Sequence, residues 1–253
     1  MPCVADSSVT ICHRAAAEST QRATRTDGSV RRKASTRADA SVRGIRDPAR
    51  LRRVSAYRVI GRSGGVAVRA YEEADLEAYR RWLQPEQEWH RWDGPYFAKL
   101  SAAEIDERLD RFRGRIASGE YAAESPLPRA VIVMDDAPDA MVGSISWHWE
   151  SEESDWRRMG LTVYDPAVRG HGVGTEALRI WADYLFAATE VVRLDYSTWS
   201  GNSRMLGVGH RLGFVEEARF RDAREVRGAR YDSVVMGVLR AEWDALPVHA
   251  TLA

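Results

Sequence analysis

Residues 163–175 run Val163-Tyr-Asp-Pro-Ala-Val-Arg169-Gly-His-Gly-Val-Gly174-Thr175: a strand ends, three glycines crowd into a loop, and a helix begins. Such a junction favours an anion. The first amides of a helix lack intrahelical acceptors, the helix dipole places about half a positive charge at that end, and glycine lets backbone N–H groups approach a phosphate closely. Arg169 adds a cation at the entrance. Beyond the loop, from Gly172 to Ala187, Ala177, Leu178, Trp181, Tyr184 and Leu185 recur at helical spacing while Glu176, Arg179 and Asp183 face away. The loop therefore opens an amphipathic helix that packs on a sheet.

On the N-terminal side, Met159–Tyr164 reads as the strand entering the loop, preceded by strand candidates Met141–Trp149 and Ala130–Met134. Asp135-Asp-Ala-Pro-Asp139 makes a tight connection between those two, which predicts antiparallel neighbours. Ser101 followed by Glu104 is a capping box, opening a helix that runs to about Ser118 and stops at Gly119. Earlier still, Val66–Tyr71 reads as a strand and Glu73–Leu83 as a helix. Downstream, Val191–Trp199 is a strand, Gly201-Asn202-Ser203 caps a short helix that stops at Gly213-Phe214, and Val215–Phe220 and Asp232–Leu239 are strands. This order predicts an α/β sandwich, with a mixed, mostly antiparallel sheet carrying one parallel crossover.

The chain has 253 residues and zero formal net charge, yet residues 1–65 hold fourteen Lys/Arg against five Asp/Glu. There Arg, Ser, Thr and Ala dominate and apolar residues stand singly, leaving little surface to offset the entropy of ordering. We read 1–63 as a disordered basic extension, Gly61-Arg-Ser-Gly-Gly65 as a flexible join, 64–246 as one domain, and 247–253 as a C-terminal tail. The extension also has the composition of an organelle transit peptide, although a solvated tail is the plainer reading. Lys33 and Lys99 are the only lysines, which fits a GC-rich coding sequence with a misassigned start, and makes Val54, Val59 and Val66 candidate starts. Both cysteines, Cys3 and Cys12, lie in this segment, so no disulfide or thiolate-metal framework is expected in the domain. A soluble cytoplasmic protein without membrane attachment is expected. The six histidines show no ligand spacing, so no metal is expected either.

A triphosphate-binding loop needs a lysine after its glycines, and none follows Gly174. Gly172-Val-Gly-Thr-Glu-Ala177 matches the dinucleotide fingerprint, with Asp195 about twenty residues on. The context is wrong, because Asp165–His171 separates the strand from the first glycine of that match. A third reading is the pyrophosphate of coenzyme A. Arg169-Gly-His-Gly-Val-Gly174 resembles the Gln/Arg-x-x-Gly-x-Gly/Ala motif of the GNAT N-acyltransferases, at the same place between the fourth strand and its helix. Trp199-Ser-Gly-Asn202, Gly213-Phe214 and the hairpin ending Tyr231-Asp-Ser-Val-Val-Met-Gly-Val-Leu-Arg240 are similar to the branch that acetylates ribosomal protein N-termini. The resemblance covers about 66–246 in outline and is most specific over 159–240.

It implies a GNAT fold, with helices on both faces of the sheet and a central strand pair that splays around acetyl-CoA, the co-substrate. Backbone groups of Leu161, Thr162 and Val163 would pair with the pantetheine arm, and an amide such as that of Val163 would face the thioester oxygen as negative charge develops. The loop residues Arg169, Gly170, His171, Gly172, Val173 and Gly174 would take the pyrophosphate, with Thr175 as a further donor. Asn202 would bind the arm beyond the gap. The attacking primary amine must lose a proton, for which Glu150, Glu152, Glu153 and Asp155 are candidates and Glu150 the choice, being closest to the strand. The family's usual acid positions hold Gly209 and Met205, neither of which donates a useful proton; His210 points about 100° away around the helix. Trp89, Trp92, Tyr96 and Phe97 either line an acceptor pocket or pack locally.

The expected activity is therefore acetyl transfer to a primary amine of a protein N-terminus or small molecule by direct attack on the thioester. The alternative is a non-catalytic acyl-CoA-binding sensor or partner protein, suggested by Gly209 and Met205. Nucleic-acid binding by the basic extension is a weaker idea. The acceptor and a homodimer both stay open.

Overall fold

The computed structural model describes residues 58–247. Most of the segment expected to be disordered, and all of the tail except Pro247, lie outside these residues. The elements, in chain order, are β1 (Val59–Ser63), β2 (Val66–Arg69), α1 (Asp75–Leu83), α2 (Ala102–Ala117), the short α3 (Glu120–Ala123), β3 (Arg129–Met134), β4 (Ala137–Ser151) and β5 (Trp156–Val163). After the glycine loop come α4 (Val173–Ala188), β6 (Arg193–Trp199), α5 (Ser203–Arg211), β7 (Val215–Val226), β8 (Ala229–Leu239) and α6 (Arg240–Asp244). Two 3₁₀ turns, Glu88–Arg91 and Pro166–Val168, complete the elements among the described residues.

One eight-stranded sheet runs β1-β2-β3-β4-β5-β6-β8-β7, and every neighbouring pair is antiparallel except β5 and β6. The mixed sheet with one parallel crossover is as the sequence order requires. The start of the domain is not. Val59–Ser63, expected within the disordered extension, is an edge strand paired with β2, and Gly64-Gly65 is its two-residue turn rather than a flexible join. Positive φ at both glycines (+55° and +78°) suits the tight hairpin turn that matches strand twist. A tertiary contact accounts for the strand: a Cβ at Gly61 would lie 2.7 Å from Ile180 Cγ2, so α4 rests directly on the β1 backbone.

Alternation along the sheet separates two faces. Leu161 and Val163 on β5 approach Gly174 at the start of α4, whose Ala177, Leu178, Trp181 and Leu185 are buried. On the opposite face, Tyr164 stacks with Trp82 of α1 at 5.9 Å and meets Trp89 at 5.2 Å. Helix α2 starts with the capping box read from sequence: the Glu104 amide donates to Ser101 Oγ and the Glu104 carboxylate accepts from the Ser101 amide. Helix α1 is fastened differently. Arg69 and Asp75, 1% and 4% exposed, form a two-pronged ion pair at 2.7 and 2.8 Å, and Asp75 also accepts from the Glu72 amide.

Candidate active site

β5 and β6 are in register at only three positions, Arg157↔Leu194, Arg158↔Asp195 and Met159↔Tyr196, after which they part. The Tyr164 amide donates to Val142 of β4 at 2.8 Å, so alternation turns the amides of Leu161 and Val163 towards the split. A cavity of about 890 Å³ follows the split from the glycine loop to the aromatic segment after α1. Leu161, Thr162, Val163, Arg169, Gly170, Gly172, Val173, Gly174, Thr175 and Asn202 all line it, whereas His171 is exposed and does not.

At the open end, Gly170 and Gly172 adopt φ of +83° and +84°, and a Cβ on either would face empty space. No side chain caps α4, and the Glu176 amide bonds the Gly172 carbonyl, which leaves the amides of Val173, Gly174 and Thr175 in the open first turn. Uncapped amides beside unobstructed glycines fit a pyrophosphate. Arg169 has a different task in this structure. It donates to the carbonyls of Val163 at 3.0 Å and Tyr164 at 2.6 Å and pairs with Glu88. Its guanidinium thereby holds the end of β5, leaving the Val163 N–H, not its C=O, as the group facing the split.

Asn202 is likewise engaged. Its Oδ1 accepts from the Met205 amide at 3.2 Å, capping α5, and its Nδ2 donates to the Trp92 carbonyl at 3.1 Å, which also accepts from Trp199 Nε1. The segment 88–93 therefore straps across the split, tied to the β5 side by Glu88 and to the β6 side by Trp92.

Glu150 is not on this cleft, and neither are Glu152, Glu153 or Asp155. β4 continues to Ser151 and pairs with the first residue of β5, which carries the acidic turn to the closed end of the split. There Glu150 pairs with Arg158 at 2.8 Å, and Arg158 bonds the fully buried Asp195 at 2.7 Å. Glu150 instead borders a smaller cavity of about 590 Å³.

Two carboxylates do line the cleft: Glu104, which is bound to Ser101, and Asp93, which sequence reading missed. Thr162 Oγ1 donates to Asp93 Oδ2 at 2.6 Å. Burial pushes the Asp93 carboxyl above the ordinary aspartate value, opposed by that hydrogen bond. Ser146 and His148 line the same wall. The aromatic residues read either as pocket lining or as local packing, Trp89, Trp92, Tyr96 and Phe97, all line the cleft.

Gly209 has a steric cause. A Cβ there would lie 2.1 Å from the hydroxyl of Tyr196, which reaches from β6 under α5 and donates to the Met205 carbonyl at 3.0 Å. Gly209→Ala is accordingly expected to cost about 1–3 kcal/mol by overpacking, read as a lower urea midpoint at unchanged m. A variant as stable as wild type would mean that Tyr196 moves freely.

A mixed sheet split beside an uncapped, glycine-lined helix is the arrangement that the resemblance to the GNAT acyltransferases implies. The acetyltransferase (GNAT) domain family matches residues 66–215, and the chain belongs to that family. A Bacillus subtilis (strain 168) protein, YdaF, provisionally named a ribosomal N-acetyltransferase, is 35% identical over 183 residues, covering 71% of this chain and 93% of its own length. In fold, the chain is similar to the ribosomal-protein-S5-alanine acetyltransferase from Vibrio fischeri: TM-score 0.58, 17% identity, covering 72% of this chain and 97% of that one. It is also similar to Mycobacterium smegmatis RimJ in complex with CoA-disulfide: TM-score 0.55, 21% identity, covering 78% and 91%.

Proposed function

We propose that this acetyl-CoA-dependent N-acetyltransferase acts on the α-amino group of a polypeptide, with Asp93 as the base that takes the amine proton. The observation that carries the reading is the continuity of the cleft from the uncapped first turn of α4 to the Asp93–Thr162 pair. The name of the 35%-identical relative supports a polypeptide acceptor.

When bound, acetyl-CoA supplies a thioester carbonyl open to attack. The amides of Gly170 to Thr175 hold the pyrophosphate end, and the side chains of Leu161 and Val163 form the floor of the split. The Val163 N–H opposes negative charge as it develops on the carbonyl oxygen, because the amide is fixed there by the sheet and by Arg169. Asp93, kept less acidic by burial, accepts the proton of an ammonium group that otherwise has no lone pair. The Tyr196 hydroxyl is committed to Met205, so the thiolate leaves without it, as a thiol of pKa about 8.5 is able to do.

The test is free-thiol release by the full chain with acetyl-CoA and a panel of peptides and small amines, against Gly172→Glu as control. That substitution puts a carboxylate at the anion site on an L-residue at positive φ, and is expected to weaken CoA binding by about tenfold to a hundredfold, the range for charged hydrogen bonds. Peptide-dependent thiol release, lost in the control, supports the proposal. CoA binding with no amine-dependent release would overturn it in favour of a binding protein.

A further inference from the structure

The cleft has a second polar wall to which the transfer chemistry gives no task. Arg108 of α2 and Arg129 of β3 line it, together with Tyr79, Tyr164 and Ser144. Among the described residues Arg108 has no side-chain hydrogen bond or ion pair. Most arginines near it do: Arg80 pairs with Asp106, Arg111 with Glu107 and Arg113 with Asp110, which turns those acids of α2 away from the cleft. Glu104 lines the same cleft and lies close enough to act on Arg108 through space, yet its carboxylate is bound to Ser101 at 2.8 and 2.7 Å. The Arg129 guanidinium sits 5.1 Å from the centre of the Phe112 ring, which fixes it at the cleft end of β3.

Burial disfavours the charge of Arg108, Tyr79 opposes that effect, and the neighbouring charge of Arg129 adds to it. Two cations on one half-buried wall attract an anion, and guanidinium groups suit a carboxylate. Asp93 borders the same cleft, bonded to Thr162 of β5. We infer that the acceptor is an amine that also carries a carboxylate, with the amine directed to Asp93 and the carboxylate to Arg108 and Arg129. On the transferase reading, on which this inference rests, that describes a polypeptide with an acidic residue soon after its N-terminus. A small amino acid would present the same chemistry.

The experiment compares kcat/KM of the full chain for matched peptides carrying Asp or Asn at the second or third position, and for a free amino acid against its amide. A charge-assisted contact predicts a preference of about tenfold or more for the acidic partner. Arg108→Gln is expected to abolish that preference and Arg108→Lys to keep part of it, with the melting temperature of each variant reporting the fold. Equal turnover of acidic and neutral acceptors, or a preference that survives Arg108→Gln, overturns the inference and leaves the transferase standing. A preference confined to the free amino acid supports the subsite and removes the polypeptide acceptor. Should no acceptor turn over, tryptophan-fluorescence titration with the same peptides in the presence of CoA decides separately. Tighter binding of the acidic peptide supports the subsite, and equal affinities overturn it.

Discussion

Asp93→Asn is expected to lower kcat by about 10²- to 10⁴-fold, the usual contribution of a positioned general base. Asparagine keeps the shape of the side chain and an oxygen to accept from Thr162 Oγ1, so the strap and the wall of the cleft stay in place. What is lost is the site that takes the proton. The pH dependence separates this from a structural effect. Only the ionised carboxylate serves as base, so the wild-type rate falls on acidification, and because burial raises the Asp93 pKa the fall begins above the range of an ordinary aspartate. In Asp93→Asn that limb flattens. Unchanged kcat, or an acid limb identical in the two proteins, would remove Asp93 from the mechanism.

Arg69→Met is expected to destabilise the domain by about 3–5 kcal/mol, because it leaves Asp75 as an uncompensated charge in a site closed to water. For a domain of this size that is a fall in melting temperature of roughly 6–20 °C. Asp75 is also the group that binds the Glu72 amide as the chain enters α1, so the helix loses its anchor to β2. The pair itself is not the source of the stability. Replacing both partners, Arg69→Met with Asp75→Leu, is expected to recover much of the loss, since an apolar pair removes two desolvated charges. A single variant within about 1 kcal/mol of wild type, by chemical denaturation, would show that water reaches Asp75.

The features legible in sequence are those with local causes. The glycine junction, the capping box at Ser101 and Glu104, and the apolar segments read as β3 to β5 each arise within a few residues, and each has its counterpart in the structure. β1 was hidden because its five residues carry little pattern and owe their place to α4 packing on Gly61. The site divides in the same way. Backbone positions around the split follow from the strand and loop, whereas side-chain roles depend on contacts across the chain. Asp93 meets Thr162 across 69 residues, and nothing around Trp92-Asp93-Gly94 marks that meeting. Glu150 looks close to the reaction along the chain, but the longer β4 carries it past the closed end of the split. Arg169 and Asn202 have recognisable positions, yet their side chains hold protein groups.

The three residue pairs joining β5 to β6 have a further thermodynamic consequence. β1–β5 and β6–β8 are nearly separate ladders, held together by these few rungs, by α4 and by the strap at Trp92. On the proposed reading, a ligand whose arm bonds Leu161 and Val163 within the split would act as a removable strand. Its binding and the cohesion of the two half-sheets are then linked equilibria: ligand at about a hundred times its Kd adds about 2.7 kcal/mol to the folded state. Resistance to unfolding is then expected to rise with the supply of acetyl-CoA, which thermal melts with and without the ligand check.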